Sequence, residues 1–289
     1  MLFSPAVQPS TISLFSSTSS EPLALFSSST DQALPSDSFV HLLHDRLSSP
    51  LPVSPRTLLH LPTVNDAGAE EEDSSHGVEL EQTVLHLQSP TIRTTYIQCP
   101  PVVPSFDAIG THDKFVGLGI KHPWLHLQVR NLGREWSFEV GVVDHSGRTG
   151  IIRFSTFQKK PRLKMNHVKS GSPPLLLLPL SFPSRSTHPL TPWNTINIHF
   201  PSLLPYFSSP ALRSLSDGNQ EGTLEEPTTW RRGSSSHPST SNPISIPTGT
   251  YSCASYVRVY ASCRLRRIWF GESGPSQKAT WEFELYSSD

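Results

Sequence analysis

The residues of this 289-residue chain best able to do chemistry are its thirteen histidines and three cysteines. His122 and His126 have the spacing of two zinc ligands on a helix. Pro123 lies between them, however, the segment alternates as a strand does, and no Glu follows His122 as an HExxH helix requires. They read as strand-face or surface histidines. Cys253 and Cys263 lack any CxxC pairing, which leaves no zinc spacing. Asp144-His145-Ser146 presents the three residue types of a hydrolase triad in a row, but a triad needs side chains brought together from separate segments. With Gly147 the run reads as a turn. GxSxG, GxGxxG and the phosphate-binding GxxxxGK[ST] do not occur. Glu135, Glu139, Glu282 and Glu284 would form a glycosidase pair only if the fold brought two of them together. Their simpler reading is as solvent-facing strand residues. The expectation is a protein that is not an enzyme and holds no metal and no cofactor.

A basic strand is the more informative feature. From Tyr256 to Arg266, apolar Val257, Val259, Ala261, Cys263 and Leu265 alternate with Tyr256, Arg258, Tyr260, Ser262, Arg264 and Arg266. If the odd positions point inward, Arg258, Arg264 and Arg266 line an outer face with Tyr256 and Tyr260, and Arg267 follows. Arginines beside tyrosines on a sheet can bind carboxylates, phosphates, bases or sugars. The bland alternative is a face covered by its own loops or by Glu282 and Glu284. Both readings stand at this stage.

Such side chains need a scaffold, and period-two alternation supplies it. It recurs at Trp124–Arg130, Trp136–Val142, Thr195–Phe200 and Trp281–Leu285, with shorter candidates at Gln82–Leu87, Thr94–Cys99 and Gly150–Thr156. No sustained apolar stripe of helical period occurs; Pro201–Phe207 has room for one short turn. Asp144–Gly147 fits a hairpin tip, and Asn131–Arg134 a second turn. The phase slip between Leu265 and Ile268 predicts a bulge at Arg266-Arg267. The fold class expected is mainly β, an antiparallel β-sandwich of jelly-roll type.

Composition sets the domain count. Hydrophobic residues are 35% and charged residues 16%, with 28 prolines, about twice the usual proline share. The expectation is one domain over 12–289 after a disordered 1–11. Ser/Pro-rich insertions at about 27–77, 101–114, 165–190 and 208–249 are too polar to repay their own ordering. Collagen is excluded by only 16 glycines, and a disulfide scaffold by three cysteines.

The net charge of −1 hides a polarity along the chain. Residues 21–90 hold eleven acids and two bases, a balance of −9, whereas 91–170 hold five acids and twelve bases, a balance of +7. The acidic run Glu70–Asp73 reads as a solvated loop, and the basic centre suits an acidic partner. The first residues lack a secretory pattern, and the most apolar run, Leu175–Leu178, is too short to cross a bilayer. A soluble intracellular protein with reduced thiols and no membrane partner is expected.

Several motifs together resemble one family. They are Thr94–Pro100, Leu118–Leu125, Val129–Leu132 leading into Trp136–Val140, Arg153–Gln158, Trp193–Ile198, Val257–Phe270 with its Cys-Arg-x-Arg-Arg run, and Trp281–Tyr286. Leu14–Ser16 and Glu21–Phe26 join them at the start. In this order they resemble the cilia- and flagella-associated protein 20 family. The resemblance implies a non-enzymatic structural protein of the ciliary axoneme and basal body, at the inner junction of doublet microtubules. Its partners would be tubulin and other axonemal proteins, and its roles would touch motility and tubulin modification. A nuclear location is the alternative, and a carbohydrate- or nucleic-acid-binding module is the alternative function. The long insertions and the drift at Lys159–Lys164 depart from the family pattern.

Overall fold

Alternating apolar residues become two facing sheets in the computed structural model, which describes residues 2–3, 7–48, 59–60, 79–80, 82–101, 117–165, 172–182, 192–214, 246–275 and 283. The first sheet runs β13 (Trp193–His199), β8 (Trp124–Asn131), β15 (Cys263–Gly271), β6 (Thr83–Gln88) and β3 (Phe39–His44), and β1 (Thr11–Ser16) also pairs with β15. The second runs β11 (Arg162–Lys164), β12 (Leu175–Pro179), β10 (Thr149–Ser155), β9 (Ser137–Asp144), β14 (Tyr251–Tyr260), β7 (Tyr96–Cys99) and β2 (Ser27–Ser29). A two-residue pair, β4 (Leu59–His60) with β5 (Glu79–Leu80), stands apart. A short helix α1 (Phe200–Leu203), a 3-10 turn (Leu204–Ser208) and α2 (Pro210–Ser214) follow β13, where one helical turn was expected.

The core lies between the sheets. Leu125, Leu127 and Val129 of β8 face Phe138, Val140 and Val142 of β9 across one continuous cluster that also holds Trp136, Leu85, Ile97 and Val257. This is the sandwich the alternation predicts. Among the described residues all pairings are antiparallel except one: β12 runs parallel to β10 from Ile151↔Leu175 to Ser155↔Pro179.

The hairpin at Asp144–Gly147 joins β9 to β10, with Gly147 at φ +76°, a conformation that favours glycine. The bulge expected at Arg266-Arg267 is present: the β15–β8 register shifts between Leu265 and Arg267. The Asn131–Arg134 turn differs in role. It carries the chain from β8 in one sheet to β9 in the other rather than closing a hairpin.

Four segments expected to lack structure contain some. The stretch read as an insertion over 27–77 holds β2, β3 and β4, that over 165–190 holds β12, and that over 208–249 begins with α2. Averaged composition hid them, because a six-residue strand such as Phe-Val-His-Leu-Leu-His is diluted by the largely polar, Ser- and Pro-rich residues around it. Within 1–11, the amides of Leu2 and Phe3 donate to the carbonyls of Gly117 and Leu118, and the Gln8 side-chain amide donates to Phe3 and Gly119. Residues 102–114, most of 208–249 and the acidic run Glu70–Asp73 lie outside the described residues. Of the expected last strand, only Phe283 is described. No helix among the described residues is long and apolar enough to cross a membrane.

Candidate partner-binding faces

The basic strand is two strands. The chain leaves the second sheet at the end of β14 and enters the first at Cys263, with a corner at Ala261-Ser262. The Ser262 hydroxyl donates to the Ser89 carbonyl and accepts from the Ser89 amide, pinning that corner. Val257, Val259, Ala261, Cys263 and Leu265 are all buried in the common core, as the alternation predicts. A chain that rounds the core keeps its inner face inward, so the sequence pattern continues unbroken while the sheet changes. Tyr256, Arg258 and Tyr260 therefore belong to one outer face, and Arg264, Arg266 and Arg267 to the other.

On the second sheet, register assembles a row across the strands. Gln98 of β7 pairs with Arg258 of β14, Arg258 with Glu139 of β9, Glu139 with Arg153 of β10, and Arg153 with Leu177 of β12, beyond which stands Arg162. Glu139 is the hinge of the row. Its Oε2 accepts from Arg153 Nε at 2.8 Å and Nη2 at 2.6 Å, and its Oε1 accepts from Arg258 Nη1 and the Tyr256 hydroxyl. Arg258 also donates to Gln98 Oε1 at 2.7 Å. Its guanidinium lies 4.7 Å from the Tyr96 ring centre and 5.7 Å from those of Tyr256 and Tyr260, while Arg153 lies 5.4 Å from Tyr260. These are cation–π distances.

Burial and charge divide the roles. Glu139 is only 2% exposed, whereas the Arg153 and Arg258 side chains are 29% and 26% exposed. Glu139 was expected to face solvent; it does occupy the outer face, but two guanidiniums and a tyrosine cover it. Burial works against the charge on Arg153, yet the neighbouring Glu139 outweighs it and holds the guanidinium pKa above its ordinary value. Burial also raises the Tyr256 and Tyr260 hydroxyls, with Glu139 adding to the effect. Two cations on one carboxylate leave a local excess of positive charge at the surface.

Gly141, one residue pair along β9, permits this arrangement. A Cβ there would stand 2.2 Å from Ser255 Oγ and 2.5 Å from the Tyr256 ring. The ring folds over the glycine to reach Glu139, helped by the irregular β14–β9 register between Ala254 and Tyr256.

The first sheet carries a second row: His41 of β3, His86 of β6, Arg264 of β15, Arg130 of β8 and Trp193 of β13. Its carboxylate, Asp45, comes from the turn after β3. Asp45 Oδ1 accepts from Arg264 Nη1 at 2.9 Å and Arg130 Nη1 at 3.1 Å, and its Oδ2 accepts from the Trp193 indole at 2.8 Å. Arg264 donates as well to the Asp45 carbonyl and the Ser48 hydroxyl. Arg264 and Arg266 are each 7% exposed, and Arg266 donates to Gln128 Oε1. Both were expected on an open face; they are instead built into the first sheet's own network. Arg267 lies over the Phe283 ring, which also packs 4.9 Å from Trp269. Glu282 and Glu284, the alternative cover for the basic strand, lie outside the described residues.

Among the remaining candidates, His122 Nε2 meets the Pro9 carbonyl and His126 Nδ1 meets Asn197 Oδ1, so the two serve separate contacts. Among the described residues no group of three His, Cys, Asp or Glu could hold a metal ion. All three cysteines are free and buried. Reading the sequence did not single out Arg153, Tyr96, Gln98, Asp45 or Arg130 as site residues. Equal steps from a turn at Asp144–Gly147 would set Glu139 opposite Ile152; the turn closes one residue later, at Arg148, and that sets Arg153 opposite Glu139.

Part of the chain is similar to known proteins. Residues 73–201 match the family model described as the CFA20 domain. Cilia- and flagella-associated protein 20 of Chlamydomonas reinhardtii is 29% identical over 128 residues, which are 44% of this chain and 56% of that protein. The proteins of the same name from Caenorhabditis briggsae and Caenorhabditis elegans are each 30% identical over 86 residues, 30% of this chain and 37% of theirs. The chain thus spans about half the length of the algal relative and little more than a third of the nematode ones. The family match covers β6 to β13 and stops short of β14 and β15, so the Cys-Arg-x-Arg-Arg run lies beyond it. The likeness read from the strand motifs is borne out: residues 73–201 are similar to the CFA20 domain, and the relatives they match carry the cilia- and flagella-associated name.

Proposed function

We propose that this chain is a non-enzymatic structural protein of the cilium, seated on axonemal doublet microtubules and at the basal body, where it supports motility and tubulin modification. The carrying observation is the Gln98–Arg258–Glu139–Arg153 row, set in a chain whose relatives are named as cilia- and flagella-associated. The row offers an acidic surface two partly exposed guanidiniums held in place by one buried carboxylate. Fixed charges of this kind lose little side-chain freedom on binding, which favours a rigid structural contact. Of the six residues expected to touch a partner, Arg258 and Tyr256 remain the proposed contacts, joined by Arg153, while Tyr260, 5% exposed, lies beneath the two guanidiniums. Arg264, Arg266 and Arg267 support the other sheet.

The alternative module, which would stack sugars or bases on the tyrosines, is less well served by this face. Arg258 already lies against three of the rings, so a cation rather than open ring faces is presented. The test is co-sedimentation with taxol-stabilised microtubules. Pelleting at low salt that weakens as salt screens the row is expected. A chain that stays in the supernatant at low salt overturns the reading. Salt-steep binding to DNA or RNA would assign the face to nucleic acid instead.

A further inference from the structure

β3 is the outermost strand of the first sheet. It pairs with β6 in unbroken register from Phe39↔Gln88 to His44↔Thr83, and among the described residues no strand pairs with its other side. An edge strand offers a row of unpaired N–H and C=O groups, and proteins blunt such edges with short length, lysine, proline, bulges or charge. Three other edges follow that rule: β2 is three serines, β11 is three residues with Arg162 and Lys164, and β1 has an irregular register between Ser13 and Phe15. β13 is seven residues in unbroken register, with Asn194, Thr195 and Asn197 among them. β3 is six residues, Phe-Val-His-Leu-Leu-His, with no lysine, proline or bulge. Of these two undefended edges it is the more apolar.

A cleft of about 770 Å³ follows that edge and has two unlike walls. Half-buried Val40 and Leu42, with Leu23, form an apolar wall on the core side. His41, His86 and Arg264 form a polar wall on the outer side, and no carboxylate lines the cleft among the described residues. Phe39 packs at 5.1 Å against His41 and at 5.4 Å against His86, which orders that wall. The Asp45 cluster with Arg264, Arg130 and Trp193 fastens the chain just beyond β3 to three further strands. The edge is therefore firmly held.

We propose that this edge receives an extended segment of a partner protein, one with alternating apolar and acidic residues, as an added strand of the first sheet. Successive side chains of a strand fall on opposite sides. Such a segment would turn its apolar residues to Leu23, Val40 and Leu42 and its carboxylates to the exposed His41, on a face where Arg264 and Arg130 outnumber Asp45, while its backbone completes the ladder. A second copy of this chain fits less well, because two β3 strands would set imidazoles against imidazoles with no carboxylate between them. The proposal uses the first sheet and is independent of the row on the second.

The full chain is titrated with a capped, fluorescently labelled decapeptide of alternating Val and Glu. Binding is followed by anisotropy and amide hydrogen exchange is read at β3. Saturable binding with new protection at Phe39–His44 is expected. A Val/Lys decapeptide should bind at least about tenfold more weakly. His41 is exposed, so His41→Glu should fold normally and reverse that preference, and His41→Lys should tighten the acidic peptide. Equal binding of both peptides, or protection that does not change at β3, overturns the proposal. The amides that report are the outward ones, those β3 does not give to β6. A dimer by light scattering with those amides already protected gives the edge to a second copy, and their protection in the peptide-free monomer gives it to the chain itself; either overturns the proposal.

Discussion

Single side chains in this protein are held by burial more than by surface charge, and two make that measurable. Burial pushes the Cys99 thiol up to about 12 and raises those of Cys253 and Cys263 as well. Because the thiolate is the reactive form, the native chain should react negligibly with a disulfide reagent at pH 8. All three thiols should react once the chain is unfolded in urea; fast native labelling of Cys99 would contradict this. Asp144 is the second case. It accepts from the amides of Ser146, Arg148, Thr248 and Gly249 and from the Arg148 side chain. Burial works against its charge, but these donors and Arg148 outweigh it and hold the pKa below the ordinary carboxylate range. A folded-state pKa below the unfolded one adds stability above the unfolded value, and that stability disappears as pH falls through the folded one. Asp144→Ala should cost about 2 kcal/mol at pH 7. The gap between variant and parent in urea melts should close in acid, below the ordinary carboxylate range. A gap independent of pH would mean that Asp144 acts by packing alone.

At the level of strands, two fittings decide whether the outer faces keep their shape. Gly141 lets Tyr256 lie over β9, and a methyl there meets Ser255 Oγ and the ring at distances no side chain tolerates. Gly141→Ala should therefore destabilise by about 1–3 kcal/mol and displace Tyr256 from Glu139. A thermal melt together with the tyrosine absorbance on alkaline titration would read both effects. Asp45 does similar work on the first sheet, where Arg264 is nearly buried beside a carboxylate with no exposure. Asp45→Ala leaves that cation unpaired and should cost about 3 kcal/mol or more; a loss well under 1 kcal/mol in urea melts would show the cluster to be dispensable. These devices also mark where reading the sequence stopped. Alternation reveals which residues point inward, and Val257 to Leu265 obey it throughout. It is silent on which sheet a strand joins, so Arg258 and Arg264 looked like neighbours although they lie on different sheets. Glu139 and Arg153 stand far apart in sequence and meet only through the hairpin register. Asp45 lies in a turn inside a Ser/Pro-rich stretch, where neither composition nor period points to it.

For the molecule as a whole, the question is which face carries the acidic partner, since both sheets display arginines. Formal charge does not separate them, because each row sets two arginines against one carboxylate. Accessibility does. Arg153 and Arg258 side chains are 29% and 26% exposed, whereas that of Arg264 is 9% exposed. A partner arriving from solvent can reach the second sheet's guanidiniums without dismantling anything. On the first sheet it would have to displace Asp45 from a buried pair. Arg153→Glu sets a carboxylate beside Glu139, but Arg258 still pairs with Glu139 and solvent reaches the position. The variant should therefore melt earlier yet keep the parent's far-ultraviolet circular dichroism at room temperature, and microtubule co-sedimentation at low salt should fall by about tenfold or more. Arg153→Lys should retain much of the binding and a similar dependence on salt, because charge rather than the bidentate grip would meet the partner. Arg264→Glu is the informative contrast: it sets a second carboxylate beside Asp45 in a closed network and should unfold the first sheet before it touches binding. If Arg264→Glu instead left the fold intact and abolished pelleting while Arg153→Glu pelleted normally, the partner face would be the first sheet. The second sheet's row would then serve only to brace its own strands.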